Sequence, residues 1–219
     1  MNGMDSISLS ELERDALTEL VNIGVGRAAT SLRKMVGKHI LLSVPAIEVV
    51  TLAAASRLLV ERETDKLVAI RQEFSGLFSG RALLIFPESN SLDLVRAVVS
   101  SDLSVAELVE LERDALAETG NIILNGCLGS MANMLHEPLV MSLPEVLYGD
   151  GNYLFHTDHD ASEGMVLFLY INFVVQERNI RGYIAMTMDL PSMVALQGLI
   201  SDFIARVTGE DLAGGVSGT

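Results

Sequence analysis

The sequence predicts an α+β protein made of two homologous halves that share one six-stranded, largely antiparallel sheet, flanked by helices and pseudo-twofold symmetric. Three features predict it. Residues 11–22 recur as residues 110–121, with nine of twelve positions identical at an offset of 99. At the same offset Ser43-Val44-Pro45 becomes Ser142-Leu143-Pro144. Each half also reads in the same order: a helical stretch, three strand-like stretches and a closing helix.

The first helix of each half opens on a capping-box pattern, Ser10 before Glu13 and Ser104 before Glu107. Leu12, Ala16, Leu20 and Ile23 follow at helical spacing, matched by Leu111, Ala115 and Ile122. Gly37 and the run His136-Glu137-Pro138 end these helices. Gly24 and Gly26 are expected to weaken or bend the first helix, each ~1 kcal/mol less favourable than Ala. Gly120, Gly126 and Gly129 are expected to act likewise in the second. The first strands read as residues 39–50 and 139–147. The later pairs are 67–74 with 81–86, joined by a turn containing Ser and Gly, and 165–176 with 182–188, joined by residues 177–181. Connections this short imply antiparallel hairpins. Helices over 91–100 and 191–208 close the halves. Residues 101–104 contain neither Pro nor Gly, so residues 1–212 read as one fused domain with halves at about 8–100 and 104–208. The Gly-rich residues 213–219 read as a flexible tail.

Charge narrows the function classes. Fifteen basic and 29 acidic residues leave a formal charge of −14, and no Lys/Arg cluster is visible, so nucleic acid is not an expected partner. The one cysteine, Cys127, cannot form an internal disulfide and lies in an apolar helical pattern. It is expected to be buried packing, in a protein of the reducing cytoplasm. Residues 1–5 show no signal-peptide pattern, so no leader is expected. The longest apolar stretch, residues 165–175, is well short of the ~20 residues that cross a bilayer, so it reads as a buried strand and no membrane insertion is expected.

Chemistry concentrates in the repeat. Asp15, Glu19 and Asn22 stand at i, i+4 and i+7, on one helical face; Asp114, Glu118 and Asn121 repeat them. An amide takes up no proton at neutral pH, but it offers both donors and acceptors and can hold a water in place. Phosphoryl transfer to water is catalysed largely by such positioning and by charge stabilisation. The Glu one turn earlier suits a lysine on a partner. An exposed acid on a helix is ordinarily only solvated surface. Glu and Asn persist, however, where their neighbours differ, Leu20-Val21 against Thr119-Gly120.

Other patterns carry less. Gly24-Val25-Gly26-Arg27-Ala28-Ala29 matches a dinucleotide fingerprint superficially, but a capped helix precedes it where a strand is required. Close helix packing accounts better for these glycines. His156-Thr157-Asp158-His159-Asp160 has metal-ligand types, yet no further ligand cluster accompanies it, and a polar loop is the better reading. Met131, Met134, Met186, Met188 and Met193 sit in apolar patterns and read as core.

Twenty-two residues separate Asn22 from Pro45, and again Asn121 from Pro144. Glu-x-x-Asn-x22-Pro, with Asp four residues before the Glu, resembles the signature of the CheC/CheX/FliY phosphatase family. Residues 22–29, Asn-Ile-Gly-Val-Gly-Arg-Ala-Ala, resemble the first site of its CheC members, and Asn121-Ile122-Ile123-Leu124-Asn125 the second. The resemblance covers almost the whole chain. It implies a protein-aspartyl-phosphate phosphatase acting on a CheY-like response regulator. Glu19 and Glu118 would contact the regulator's active-site lysine. Asn22 and Asn121 would enter its site and orient the attacking water. Asp15 and Asp114 would hold the less critical first position, and Pro45 and Pro144 would mark the following strand. Mg²⁺ would belong to the regulator, with no metal or cofactor held by this chain. A CheD-like deamidase is a further partner such proteins can have. Two motifs on a chain of this length resemble CheC more than one-motif CheX, or FliY with its added switch domain. The alternative implied is a non-catalytic adaptor, a flagellar-switch piece or a CheD-binding module.

Overall fold

The sequence repeat reappears as a repeat of elements. The structure, a computed structural model, describes residues 8–37, 39–98, 104–155, 164–175 and 178–209. In chain order the first half holds α1 (Glu11–Val36), β1 (Ile40–Thr51), α2 (Leu52–Arg62), β2 (Leu67–Ser75), β3 (Gly80–Pro87) and α3 (Ser91–Val98). The second holds α4 (Val105–Leu135), β4 (Val140–Met141), β5 (Glu145–Gly149), α5 (Gly151–Phe155), β6 (Met165–Val175), β7 (Arg178–Met188) and α6 (Leu190–Thr208). The histidine-rich stretch 156–160 and the tail 213–219 lie outside the described residues.

Both long helices start on the expected capping boxes. The Ser10 side chain accepts from the Glu13 N–H, and Glu13 accepts from the Ser10 N–H at 2.7 Å; Ser104 and Glu107 repeat this. Such reciprocal bonds satisfy two of the donors that every helix start leaves open. Gly37 ends α1 in the left-handed conformation at φ 68°, and His136 ends α4 in the same conformation at φ 60°. Both helices run unbroken through their glycines. Two of those glycines lie where α1 meets α4. A Cβ on Gly24 would stand 2.8 Å from the Cys127 Cα, and one on Gly126 would stand 2.8 Å from the Ala28 Cβ. The helices therefore touch through their backbones. Among the described residues Gly26 meets nothing within 4 Å, so of Gly24 and Gly26 the packing explanation holds for Gly24 only. Cys127 is fully buried at this contact, and burial pushes its thiol pKa up to about 12.

The strands form one sheet in the order β1-β6-β7-β3-β2-β4, with β5 also on β2, and every pairing is antiparallel. The halves interleave: β1 pairs with β6, while β4 and β5 pair with β2. β3 and β7 meet in the middle. Seven strands appear instead of six because the stretch expected at 139–147 is interrupted at Ser142-Leu143-Pro144. β7 also begins at Arg178, inside the expected turn.

Side chains of successive strand residues point to opposite faces. Val68, Ile70 and Phe74 of β2 and Leu167, Leu169 and Phe173 of β6 face the larger core beneath α1, α3, α4 and α6. Met131, Met186, Met188 and Met193 are buried there, as the apolar patterns predict. Leu67 and Ala69, with Val166 and Phe168, face a smaller core under α2 and α5. These two helices were not foreseen. Their signal lay in Thr51 followed by Leu52-Ala53-Ala54-Ala55: the Thr51 hydroxyl accepts from the Ala54 N–H and caps a run of strong helix formers. By length and composition α6 could cross a bilayer. One of its faces, with Met193, Leu196, Leu199 and Ile200, is buried in the larger core.

Glu13 also ties α1 to α6, accepting from Ser201 Oγ at 2.9 Å and Gln197 Nε2 at 3.2 Å. Burial alone would raise its pKa; hydrogen bonds from Ser10, Ser201 and Gln197 outweigh that and hold it below the ordinary 4.5. Its folded-state pKa is thus depressed. The stability it contributes is present above the unfolded pKa and lost as pH falls through the folded one. In urea melts across pH, Glu13→Gln should be less stable than the parent near neutrality, and the gap should close on acidification below the ordinary carboxylate range. Chemical melts should also separate the two glycines. Gly24→Ala should lose about 1–3 kcal/mol through overpacking, whereas Gly26→Ala should gain about 0.5–1 kcal/mol from helix propensity.

Candidate functional site

On α1 the inward face is taken by Leu17, Leu20, Val21 and Val25, all fully or almost fully buried. That leaves Asp15 and Glu19 exposed on the outer side, and Asp114 and Glu118 are exposed likewise on α4. Leu12 and Leu111, one turn before each Asp, are exposed too, at 58% and 41%. Each acidic stripe therefore carries an apolar side chain at its N-terminal end. Asn22 and Asn121 are half-buried, at the edge between helix and sheet.

The Asn22 carboxamide is turned onto β1. Its Oδ1 accepts from the Val44 N–H at 2.9 Å, and its Nδ2 donates to the Val44 carbonyl at 3.2 Å. Sheet register explains why Val44 has both groups to offer. Ser43 pairs with Asn172 and Ala46 with Tyr170, so Val44 and Pro45 together face the single residue Ile171. This is a β-bulge, and its extra residue loses its ladder partners. Proline fits such a position because it has no N–H to lose. Val44 is buried, so its peptide groups need partners from within the protein. The carboxamide supplies them, standing in for a neighbouring strand. The 22-residue spacing thus sets a helix side chain against the residue just before the proline.

The second half keeps the register and changes the partner. Met141 pairs with Phe74 and Glu145 with Arg71, so Leu143 and Pro144 flank the bulge opposite Gln72. The Ser142 N–H donates to the Glu73 carbonyl at 2.9 Å, and its hydroxyl accepts from the Glu73 N–H at 2.9 Å. Leu143, which corresponds to the buried Val44, is 89% exposed. Asn121 bonds to side chains instead: its Oδ1 accepts from Gln72 Nε2 at 3.2 Å and from Asn125 Nδ2 at 2.6 Å.

An Asn carboxamide has two N–H donors and two oxygen lone pairs. Val44 engages one of each on Asn22, so one of each is left. The Asn121 oxygen accepts two bonds, so its amide hydrogens are what remain. The sequence reading missed Gln72 and Asn125. Gln72 was detectable: Val68, Ile70, Gln72 and Phe74 share the inward face of β2, and a glutamine breaks that apolar series. Among the described residues no three His, Cys, Asp or Glu side chains gather as a cation site.

Truncating Asn22 should weaken the fold as well as any activity. Asn22→Ala leaves the buried Val44 N–H and C=O unpaired, which should lower stability by about 1–3 kcal/mol in urea denaturation. Asn121→Ala should lose less, since Gln72 keeps its second bond, to the Ser142 carbonyl at 3.0 Å.

Comparison with known proteins bears on this geometry. Residues 12–49, which hold Asp15, Glu19, Asn22 and Pro45, match the model of the CheC-like family. Over 171 residues, 77% of this chain and 44% of the relative, the sequence is 27% identical to the flagellar motor switch phosphatase FliY of Bacillus subtilis. Over 141 residues, 63% of this chain and 67% of the relative, it is 24% identical to the CheY-P phosphatase CheC of the same organism. The chain thus spans less than half the length of that FliY. In fold it resembles Thermotoga maritima FliY, with a TM-score of 0.67 over 91% of this chain and 99% of that one at 18% identity. It also resembles the FliM middle domain of H. pylori, with a TM-score of 0.57 over 87% and 99% at 9% identity. The chain is thus similar to CheC-like proteins in its motif segment, to two phosphatases at modest identity over much of its length, and to FliY and FliM in its α+β fold.

Proposed function

We propose that this protein hydrolyses the aspartyl phosphate of a CheY-like response regulator. The observation that carries the reading is the doubled pairing of an exposed glutamate with an asparagine one turn on, whose carboxamide is held by the bulge or by its neighbours. The acyl phosphate and its Mg²⁺ belong to the regulator. Glu19 or Glu118 docks against the regulator's lysine, and a charge-assisted bond of this kind fixes the register of approach. Asn22 or Asn121 then holds the water that attacks phosphorus. Nothing on this chain has to take a proton from that water, because phosphoryl transfer through a loose transition state gains most from orientation. Leu12 and Leu111 add apolar contact beside each acidic stripe.

The test is phosphate release from a receiver domain labelled with a small phosphodonor and Mg²⁺. The chain should accelerate release. Glu19→Ala with Asn22→Ala should retain the contribution of the second pair, and Glu118→Ala with Asn121→Ala that of the first. All four changes together should return the receiver to its own decay rate. Equal decay with and without the unaltered chain would refute the reading.

A further inference from the structure

We infer that Gln72 is a positioning residue of the second site, holding the Asn121 carboxamide in one orientation and making the two sites chemically unequal. This rests on the phosphatase reading above. Gln72 lies opposite the Leu143-Pro144 bulge where Ile171 lies opposite Val44-Pro45, so one position in the fold carries an amide in one half and a hydrocarbon in the other. Gln72 is 1% exposed, on the inward face of β2 between Ile70 and Phe74. Its Nε2 donates both to Asn121 Oδ1 and to the Ser142 carbonyl, tying the helix side chain to the strand at the bulge. Among the described residues its buried Oε1 has no hydrogen-bond partner, nor has the buried Oδ1 of Asn125, whose amide makes the other bond to Asn121. Core positions seldom keep a polar side chain with an unpaired oxygen, and sites of function are where such exceptions gather. Isoleucine serves the equivalent position in this same protein, so packing alone does not call for glutamine. What the glutamine adds is a fixed Asn121.

The consequence is a division of character between the sites. Asn22 keeps one donor and one acceptor for a water. Asn121, with its oxygen occupied by Gln72 and Asn125, presents amide hydrogens only. A water at the second site is held by donation from Asn121, and its own hydrogens must find acceptors on the partner.

The experiment uses the full chain and a labelled receiver domain. With the first site disabled by Glu19→Ala and Asn22→Ala, Gln72→Met should lower kcat about tenfold or more while KM moves less than about twofold, because orientation is lost and docking is kept. With the first site intact, Gln72→Met combined with Asn121→Ala should lose no more than Asn121→Ala alone, since the glutamine acts through that asparagine. Gln72→Ile, which copies the other half, serves as a second variant should Met disturb the strand. In ¹H–¹⁵N spectra of the chain alone, Gln72→Met should move the Asn121 side-chain amide pair and leave that of Asn22 in place. Additive losses, a rise in KM at constant kcat, or an unmoved Asn121 amide pair would each overturn the inference. If the unaltered chain does not speed dephosphorylation, the phosphatase reading falls and the catalytic role with it. The spectra then still decide whether Gln72 holds Asn121.

Discussion

Where α1 passes α4, Gly24 and Gly126 remove the side chains that would keep the two backbones apart. The arrangement of the remaining layers follows from that contact. With the helices this close, Leu17, Leu20 and Val21 on one side and Leu116, Leu124 and Leu128 on the other enter a single core above the sheet. The outward faces carry the acidic stripes. The sheet reinforces the arrangement, because each half lends its first strand to the other: β1 lies on β6, and β4 with β5 on β2. The helix contact and the strand exchange together leave neither half with a sheet of its own.

The second constraint is the bulge. A strand that takes in one extra residue beside a proline must find new partners for the displaced peptide group. In the first half the partner is the side chain on which the proposed chemistry depends. Asn22 closes the bulge at Val44, and the proposed chemistry uses the donor and acceptor that those two bonds leave over. A side chain pinned by two bonds has already lost most of its rotational freedom, and preorganisation of that kind favours a catalytic group. In the second half the bulge leaves Leu143 in solvent, and the pinning passes to Gln72 and Asn125. Duplication copied the motif, while the supporting shell diverged around it.

Much of the fold was legible in the residues. The repeat, both capping boxes, Gly37 as the end of α1, the antiparallel pairing within both hairpins and the burial of Cys127 and most of the methionine set all read correctly, the repeat by direct comparison of the halves and the rest from patterns within a few positions. The helices α2 and α5 were missed although Thr51 and the alanines after it marked the first of them. α2 follows directly on its strand, with no turn residues to announce it, while α5 is a single short turn begun by Asp150, which accepts from the Tyr153 N–H. The strand expected at 139–147 proved to be two, for which Pro144 was a visible warning.

The candidate site divides in the same way. Helical periodicity alone placed Asp15, Glu19 and Asn22 on one face, and their counterparts on one face of α4, since residues three and four apart share a side whatever the helix packs against. No local rule could say what the carboxamides touch. That depended on which strand lies beside each helix, on a two-for-one register far along the chain, and on Gln72 of the first half meeting Asn121 of the second. Sequence by itself determined the identity, spacing and sidedness of the acid–amide pairs. Tertiary structure decided how each amide is held, because hydrogen-bond partners 22 and 49 residues distant meet only once the sheet has closed.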